Sequence, residues 1–106
     1  MTKGYNQMQG IDYNDVYSPV VKYSSVRCLL ALAAQRELEI DQMDAISAFL
    51  QGDIDEEIYI KQPEGFQDGN KVLCLKKSIY GLKQSSRMWT IKLSKALKNV
   101  GLAQSK

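Results

Sequence analysis

The 106-residue chain contains no histidine and only two cysteines, Cys28 and Cys74. Neither cysteine belongs to a CxxC pair, so the sequence argues against a structural zinc site. Both lie among apolar neighbours, in RCLLAL and VLCLKK, which predicts small side chains in a hydrophobic core. Nothing in this pattern indicates disulfides, and we expect a reducing compartment.

Long apolar runs are also missing. No run approaches the roughly 20 residues that a membrane-spanning helix needs. The first residues, MTKGYNQ, lack the apolar centre of a secretory signal. We therefore expect no membrane partner and a cytoplasmic or nuclear location rather than secretion.

Net charge is small, +2, which by itself does not indicate nucleic-acid binding. Its distribution is more informative, because residues 37–57 contain eight acids and no Lys or Arg, whereas residues 71–98 contain eight basic residues and no acid. An acidic middle that could hold cations thus precedes a basic stretch that could hold phosphates. The alternative is two solvated faces of unlike sign.

Apolar periodicity predicts the first half of the fold. A largely buried helix is expected from Ser24 or Ser25 to about Gln35. Alternating residues then predict a strand over residues 38–44, with Asp44 at its end. Residues 45–51 favour a short helix closed by Gly52.

The second half predicts a hairpin and a helix. Strands are expected at residues 57–60 and 71–75, with a turn at Asp68-Gly69. A final helix should begin at Ser85 or Ser86 and stop at Gly101. This order of elements predicts an α+β fold, a short antiparallel sheet packed by two or three helices.

Asp44 is the first candidate for chemistry. An Asp at the end of a strand can bind Mg²⁺, which usually takes one or two protein carboxylates together with substrate phosphates. Two such ions can clamp the attacking and leaving oxygens of nucleotidyl transfer. The alternative is that Asp44 caps the next helix through the N–H groups near Ile46 and Ser47.

The second candidate is SIYGLKQSSRMW, residues 78–89. Gly81 permits close approach of the backbone to a base or a template strand, and Tyr80 offers an aromatic face for stacking. Lys83 and Arg87 carry charge near the start of a helix whose free N–H groups favour phosphate. The alternative is an ordinary turn into an amphipathic helix.

Three strings taken together resemble one family. They are GYNQMQGIDYNDVYSPVVKYSSVRCLLALAAQ, QMDAISAFLQGDIDEEIYIKQPEGF and LKKSIYGLKQSSRMW. In this order and spacing they closely resemble the reverse transcriptase domain of Ty1/copia-type LTR retrotransposons, over essentially the whole chain. The resemblance implies a polymerase palm and fingers, Mg²⁺ as cofactor, and RNA or DNA template-primer and dNTPs as partners, in the cytoplasm (within a virus-like particle) or the nucleus.

The resemblance also implies residue roles. Asp44 would be the catalytic metal-binding aspartate, and Ala45 would offer a backbone carbonyl to the second ion. Phe49 would lie under the incoming sugar and exclude a 2′-hydroxyl. Substrate-facing residues in the second string would be Tyr80, Gly81, Lys83 and Gln84, with Arg87 beside them.

The sequence departs from the family in two respects. Ser85-Ser86 stands where family members read close to Ala-Pro, so a helix-starting proline is absent, although Ser can cap instead. The YVDD motif of the family is also absent, and no Asp-Asp pair occurs. We therefore expect residues 1–106 to be a single partial reverse transcriptase domain without YVDD, thumb or RNase H, inactive on its own. Alternatives are a non-catalytic remnant that binds nucleic acid, or a module that self-associates through an exposed palm edge.

Overall fold

The computed structural model describes residues 2–104, and its regular elements give the predicted α+β fold. Helix α1 covers Tyr23–Gln35 and helix α2 covers Ser85–Asn99. Strand β1 covers Tyr59–Lys61 and strand β2 covers Val72–Cys74. Two short 3-10 helices cover Gly4–Asn6 and Ala48–Gln51.

The two strands form the predicted antiparallel hairpin. Ile60 pairs with Leu73 at the centre of the register. The loop of residues 62–71 is longer than a two-residue Asp-Gly turn, and the side chain of Gln62 closes it by donating to the carbonyl of Lys71 at 2.7 Å and accepting from the N–H of Asp68 at 2.6 Å. A two-stranded hairpin is marginal alone, so its stability depends on what packs against it.

The predicted strand at residues 38–44 is wrong. This stretch has no regular structure and all of its side chains are exposed. Alternation of apolar and polar residues makes a strand only where a neighbouring strand accepts and donates the backbone hydrogen bonds. The sheet of the described residues consists of β1 and β2 only, so residues 38–44 have no strand to pair with.

The predicted helix at residues 45–51 is reduced to one 3-10 turn, Ala48–Gln51. Ser47 lies immediately before it with φ 52° and ψ 47°, in the left-handed region. A left-handed residue cannot continue a right-handed helix, so the turn starts only after Ser47. Its four residues are followed by Gly52, as the sequence predicts.

Helix α1 ends where the sequence predicts, but it is not buried. None of its residues is buried, and Cys28 is exposed, as is Cys74 in β2, so the prediction of core cysteines is wrong. The helix ends in a Schellman arrangement, because the N–H of Leu38 donates to Ala33 at 2.9 Å while Glu37 takes φ 51°. The periodicity correctly predicted a helix with an apolar stripe. It could not predict that the described residues leave that stripe unburied.

Serine caps neither helix. The N-cap of α1 is Lys22 and that of α2 is Gln84, and neither makes a side-chain capping bond. Ser85 is the first residue of α2, and its hydroxyl donates instead to the carbonyl of Ile79 at 2.6 Å. At the other end the prediction is confirmed, since Gly101 follows the last turn with φ +90°.

The core is small and draws its side chains from the N-terminal segment (residues 2–18), from the residue before β1, from the loop before α2 and from the first turn of α2. Its buried apolar side chains are Tyr13, Ile58, Leu82 and Met88, and three polar side chains are buried beside them: Ser78, Gln84 and Ser85. The molecule is elongated, with extents of 62 × 29 × 26 Å. A core containing this much polar surface must be hydrogen-bonded throughout to be stable.

Across residues 2–104, neither helix has the length and apolar character required to cross a bilayer.

Candidate nucleotide-facing site

Two segments of the sequence meet in space: residues 42–50 (QMDAISAFL), here called the first motif, and residues 78–89 (SIYGLKQSSRMW), here called the second motif. Residues 49–53 lie against residues 77–80, and we call this contact the motif junction. Ser78 is central to it: its backbone N–H donates to the carbonyl of Gly52 at 2.9 Å, and its hydroxyl donates to the carbonyl of Phe49. The side chain of Ser78 is completely buried, so both of its polar groups need these partners.

An aromatic pair lies on one side of the junction. The rings of Phe49 and Tyr80 have centroids 4.7 Å apart and are tilted by 46°. Such a pair contributes about 0.5–1.5 kcal/mol beyond the area that it buries. Phe49 is half-buried, whereas Tyr80 is 45% exposed, so the pair presents an apolar face to solvent. A flat exposed ring backed by a second ring can stack on a base or obstruct a sugar substituent, but it carries no acid or base chemistry.

An acidic side chain ties the other side of the junction together. Asp53 forms an isolated antiparallel bridge with Lys77, and its carboxylate pairs with the ammonium groups of Lys77 and, at 3.0 Å, Lys92 of α2. Hydrogen bonds from the two lysines lower the pKa of Asp53 from 3.8 to about 2. Asp53 therefore links the turn to both the second motif and α2.

Asp44 and Ala45 lie outside this junction. Both are exposed, on the irregular stretch that precedes Ser47. Across residues 2–104, no three Asp, Glu, Cys or His side chains come close enough to hold a metal ion together. A single exposed carboxylate is a poor fit for a two-ion centre, so the donors within the described residues do not make a Mg²⁺ site by themselves.

The N-terminal segment covers the backbone of the second motif. The N–H of Thr2 donates to the carbonyl of Tyr80 at 3.0 Å. Gly81 has φ +103°, and a Cβ there would lie 2.1 Å from the carbonyl oxygen of Thr2. Glycine at this position thus allows close approach of the chain's own backbone; the predicted approach to a base or a template strand stays a prediction.

Lys83 and Gln84 also contact this segment. The Lys83 ammonium donates to the carbonyl of Gln7 at 3.0 Å and lies 5.3 Å from the centroid of the Tyr13 ring. Gln84 is completely buried; its amide oxygen accepts from the Gln7 amide at 3.0 Å, and its amide nitrogen donates to the carbonyl of Asp12 at 3.2 Å. The Gln84 side chain therefore points into the protein, while Lys83 keeps an exposed surface.

Arg87 is held by an acid from the same segment. Its Nε lies 3.1 Å from a carboxylate oxygen of Asp15. The pKa of Asp15 is lowered, first by the backbone N–H of Tyr17 and then by Arg87. One turn further along α2, the hydroxyl of Ser18 lies 2.7 Å from that of Thr90. Residues 15–18 are thus bonded to the first half of α2.

Sequence inspection missed Ser78, Gly52 and Gln7 as members of this arrangement. Gly52 was assigned only as a helix stop, but a Cβ there would lie 2.9 Å from the Ser78 hydroxyl and 3.0 Å from the Met88 Cβ, so it also permits close packing. Ser78 and Gln7 carry no local signal, since their partners lie 29 and 77 residues away in the chain. Only three-dimensional proximity identifies them.

Comparisons with known proteins agree with the resemblance seen in the motifs. The chain is 48% identical over 102 residues to "Retrovirus-related Pol polyprotein from transposon TNT 1-94" of Nicotiana tabacum, an alignment that covers 93% of this chain and 8% of the relative. It is 44% identical over 108 residues to "Retrovirus-related Pol polyprotein from transposon RE2" of Arabidopsis thaliana, covering 99% of this chain and 7% of the relative. It is 39% identical over 101 residues to "Transposon Ty1-ER2 Gag-Pol polyprotein" of Saccharomyces cerevisiae, covering 89% and 6%.

The chain therefore spans less than a tenth of the length of these relatives. No solved structure matches it. The model of the family described as "Reverse transcriptase (RNA-dependent DNA polymerase)" matches residues 1–106. The chain belongs to this reverse transcriptase family, in the group found in the Pol polyproteins of Ty1/copia-type retrotransposons.

Proposed function

We propose that these residues form part of an RNA-directed DNA polymerase that extends a primer on an RNA or DNA template with dNTPs. The observation that carries this proposal is the contact between Phe49 and Tyr80, with ring centroids 4.7 Å apart. It joins two motifs that are 31 residues apart in the chain (from 49 to 80) and exposes an aromatic face. Such a face suits contact with the sugar and base of a nucleotide.

The proposed metal chemistry centres on Asp44. We propose that its carboxylate and the backbone carbonyl of Ala45 contribute to binding Mg²⁺ in the intact enzyme. Because the described residues supply no cluster of acids around Asp44, the remaining ligands would come from polymerase residues outside this sequence, which contains no Asp-Asp pair. Accordingly, the 106-residue chain alone should not polymerise.

The other residues of the candidate site take the following proposed roles. Phe49 would select against a 2′-hydroxyl, while Tyr80, Gly81, Lys83 and Arg87 would line the nascent base pair and template. Gln84 would contribute by holding this backbone in place, because its side chain is buried between Gln7 and Asp12. The site of action would be a cytoplasmic virus-like particle or the nucleus.

A chimera tests the polymerase proposal. Residues 1–106 replace the matching segment of the tobacco polyprotein's polymerase, and Mg²⁺-dependent primer extension is measured on an RNA template. Asp44→Asn should reduce extension by at least about 1000-fold, because a lost catalytic metal ligand removes several kcal/mol of transition-state stabilisation. The matched control is Asp41→Asn, which removes another exposed acid from the same irregular stretch.

Equal activity of the Asp44→Asn and Asp41→Asn chimeras would contradict the metal-binding role. Mg²⁺-dependent synthesis by the 106-residue chain alone would contradict the proposal that it needs further residues.

A second candidate function is nucleic-acid binding without catalysis. It is favoured by the exposed lysines on the second half of α2, Lys95 and Lys98. Filter binding of RNA at low and moderate salt would show an affinity that falls steeply with salt, as phosphate contacts require. Binding that does not change with salt, or no binding, would contradict it.

Self-association is supported by a different surface from the one that the sequence suggested. The unpaired edge expected beside a strand at residues 38–44 does not exist, because that strand does not form. Helix α1, however, exposes apolar side chains such as Leu29, which is 64% exposed. We propose that this face associates with a second copy, which light scattering would detect as a dimer; a monomer at all concentrations would contradict this.

A further inference from the structure

Packing alone does not explain why a serine lies at position 78. It is a small polar residue with no exposed surface, in a core that has only a few buried side chains. A buried hydroxyl costs free energy unless it is hydrogen-bonded. The hydrogen bond that it makes goes to the carbonyl of Phe49, the residue proposed to select the sugar.

This hydrogen bond fixes the backbone that carries the Phe49 ring. Phe49 lies in the 3-10 turn Ala48–Gln51, which begins after the left-handed residue Ser47. A single 3-10 turn has little stability of its own. Ser78 bonds to it twice: its hydroxyl donates to the carbonyl of Phe49 within the turn, and its N–H donates at 2.9 Å to the carbonyl of Gly52, the residue that follows the turn.

The other ties across the motif junction are weaker restraints on Phe49. The carboxylate of Asp53 and its lysine partners are about half exposed, so salt and water weaken the pairs. The ring of Phe49 also contacts the ring of Tyr80. Tyr80 is itself 45% exposed, so this contact restrains Phe49 only weakly. The bond from Ser78 is directional, and its donor side chain has no exposed surface.

We propose that Ser78 is a positioning residue for sugar selection: it sets the depth at which the Phe49 ring lies, and thereby the discrimination between dNTPs and rNTPs. This inference rests on the proposed function, since it acts through the role of Phe49. A steric filter discriminates only if the ring cannot retreat. Loss of the Ser78 hydroxyl would let the turn move while the ring itself remained.

The structure offers a second way to disturb the same contact. A Cβ at Gly52 would lie 2.9 Å from the Ser78 hydroxyl and 3.0 Å from the Met88 Cβ. Gly52→Ala should therefore push the turn away from Ser78 without removing any hydrogen-bonding group. Both changes should affect Phe49 in the same direction.

The first measurement uses the 106-residue chain itself. With only two phenylalanines present, selective labelling gives an assignable nuclear Overhauser effect between the Phe49 and Tyr80 rings, whose centroids are 4.7 Å apart. Ser78→Ala should weaken it several-fold, and Ser78→Cys, which keeps a weak donor, should weaken it less. Ser18→Ala is the matched control, because it removes a long-range serine hydroxyl tie to Thr90.

The second measurement uses the chimeric polymerase and the ratio of kcat/KM for a dNTP to that for the corresponding rNTP. Phe49→Ala should lower this ratio roughly 100-fold, the scale on which a pocket rejects an added hydroxyl. Ser78→Ala and Gly52→Ala should lower it roughly fivefold to tenfold, the scale of one lost buried hydrogen bond. Ser18→Ala should leave the ratio unchanged, since a merely destabilised enzyme loses activity toward both substrates equally.

The outcomes distinguish a failure of the role of Ser78 from a failure of the role of Phe49. A lowered ratio in Phe49→Ala with no change in Ser78→Ala would overturn the role of Ser78 and leave the proposed function standing. An unchanged ratio in Phe49→Ala would overturn the role of Phe49 and, with it, that of Ser78. A ring-to-ring signal that survives Ser78→Ala at full strength would also overturn the positioning role.

Discussion

The hydroxyl of Ser78 donates a hydrogen bond to the carbonyl of Phe49 across 29 residues of sequence. This bond joins the turn of the first polymerase motif to the loop of the second. The two motifs are separated by the β1–β2 hairpin, which brings the chain back so that residue 78 meets residue 49. The geometry of the candidate site is therefore set by the motif junction rather than by either motif alone.

Replacement of Gly81 by alanine should destabilise the chain strongly. A Cβ at Gly81 would lie 2.1 Å from the Thr2 carbonyl oxygen, in addition to the cost of a side chain at φ +103°. We expect a loss of about 3 kcal/mol or more in the free energy of unfolding measured in urea. The control is Gly65→Ala, where φ is +85° but no atom lies within 4 Å; its loss should be about 1–2 kcal/mol. Equal losses would mean that the contact with Thr2 is absent in solution.

The ion pairs of Asp53 should make stability depend on acid. Because the folded pKa is about 2 and the ordinary value is 3.8, the stabilisation is fully present above pH 3.8 and is lost as pH falls toward 2. In the Asp53→Asn variant the melting temperature should therefore change less with pH in this window than it does in the parent, and it should also depend less on salt concentration. The comparison variant is Asp55→Asn, a neighbouring exposed acid, which should keep the slope of the parent. An Asp53→Asn profile that matches the parent would contradict the ion pairs.

Glu37 occupies a position that favours glycine. Its φ of 51° closes the Schellman arrangement at the end of α1, and a left-handed conformation costs an L-residue roughly 1–2 kcal/mol. Glu37→Gly should remove this strain, and the gain should exceed the cost of the larger conformational entropy that glycine gives the unfolded chain. The variant should therefore be more stable than the parent by about 0.5–1 kcal/mol. Thermal unfolding measures the change. Glu39→Gly, an exposed glutamate two residues later, should instead be neutral or destabilising, and the same gain at both positions would exclude this explanation.

Gln84 should be far less tolerant of substitution than an exposed glutamine. Gln84→Met keeps the shape but leaves the Gln7 amide and the Asp12 carbonyl without their partner. We expect a loss of about 1–3 kcal/mol in the free energy of unfolding by chemical denaturation. Gln51→Met, at an exposed position, should change it by less than about 0.5 kcal/mol. A Gln84→Met variant as stable as the parent would show that these hydrogen bonds contribute nothing.

The sequence predicted well the elements whose stability is local. The end of α1 at Gln35 and the stop of α2 at Gly101 depend on contacts within a few residues. The hairpin also forms between the predicted strands, although its loop is longer than a two-residue turn. The strand at residues 38–44 was wrong because strand formation depends on a partner that sequence alternation does not reveal. The prediction that Cys28 is buried was wrong for the same reason, because an apolar stripe on a helix does not show which residues, if any, pack against it.

The sequence proposed residues for the candidate site but not their contacts. The motif pattern proposed Asp44, Phe49 and Tyr80, whose roles stay predictions, and the contact between the Phe49 and Tyr80 rings was seen only in the structure. The roles of Ser78 and Gln7 depend on contacts over 29 to 77 residues, to which no local pattern corresponds.

The segment that covers the second motif is synthesised well before the residues that hold it in place. Thr2 bonds to Tyr80, Gln7 to Gln84 and Ser18 to Thr90, so each tie closes a loop of more than 70 residues. During synthesis on the ribosome, the N-terminal residues emerge long before any of their partners exist. The buried polar side chain of Gln84 can bond to Gln7 and Asp12 only after residue 84 has left the exit tunnel, so these ties should form later than the local helices and the hairpin.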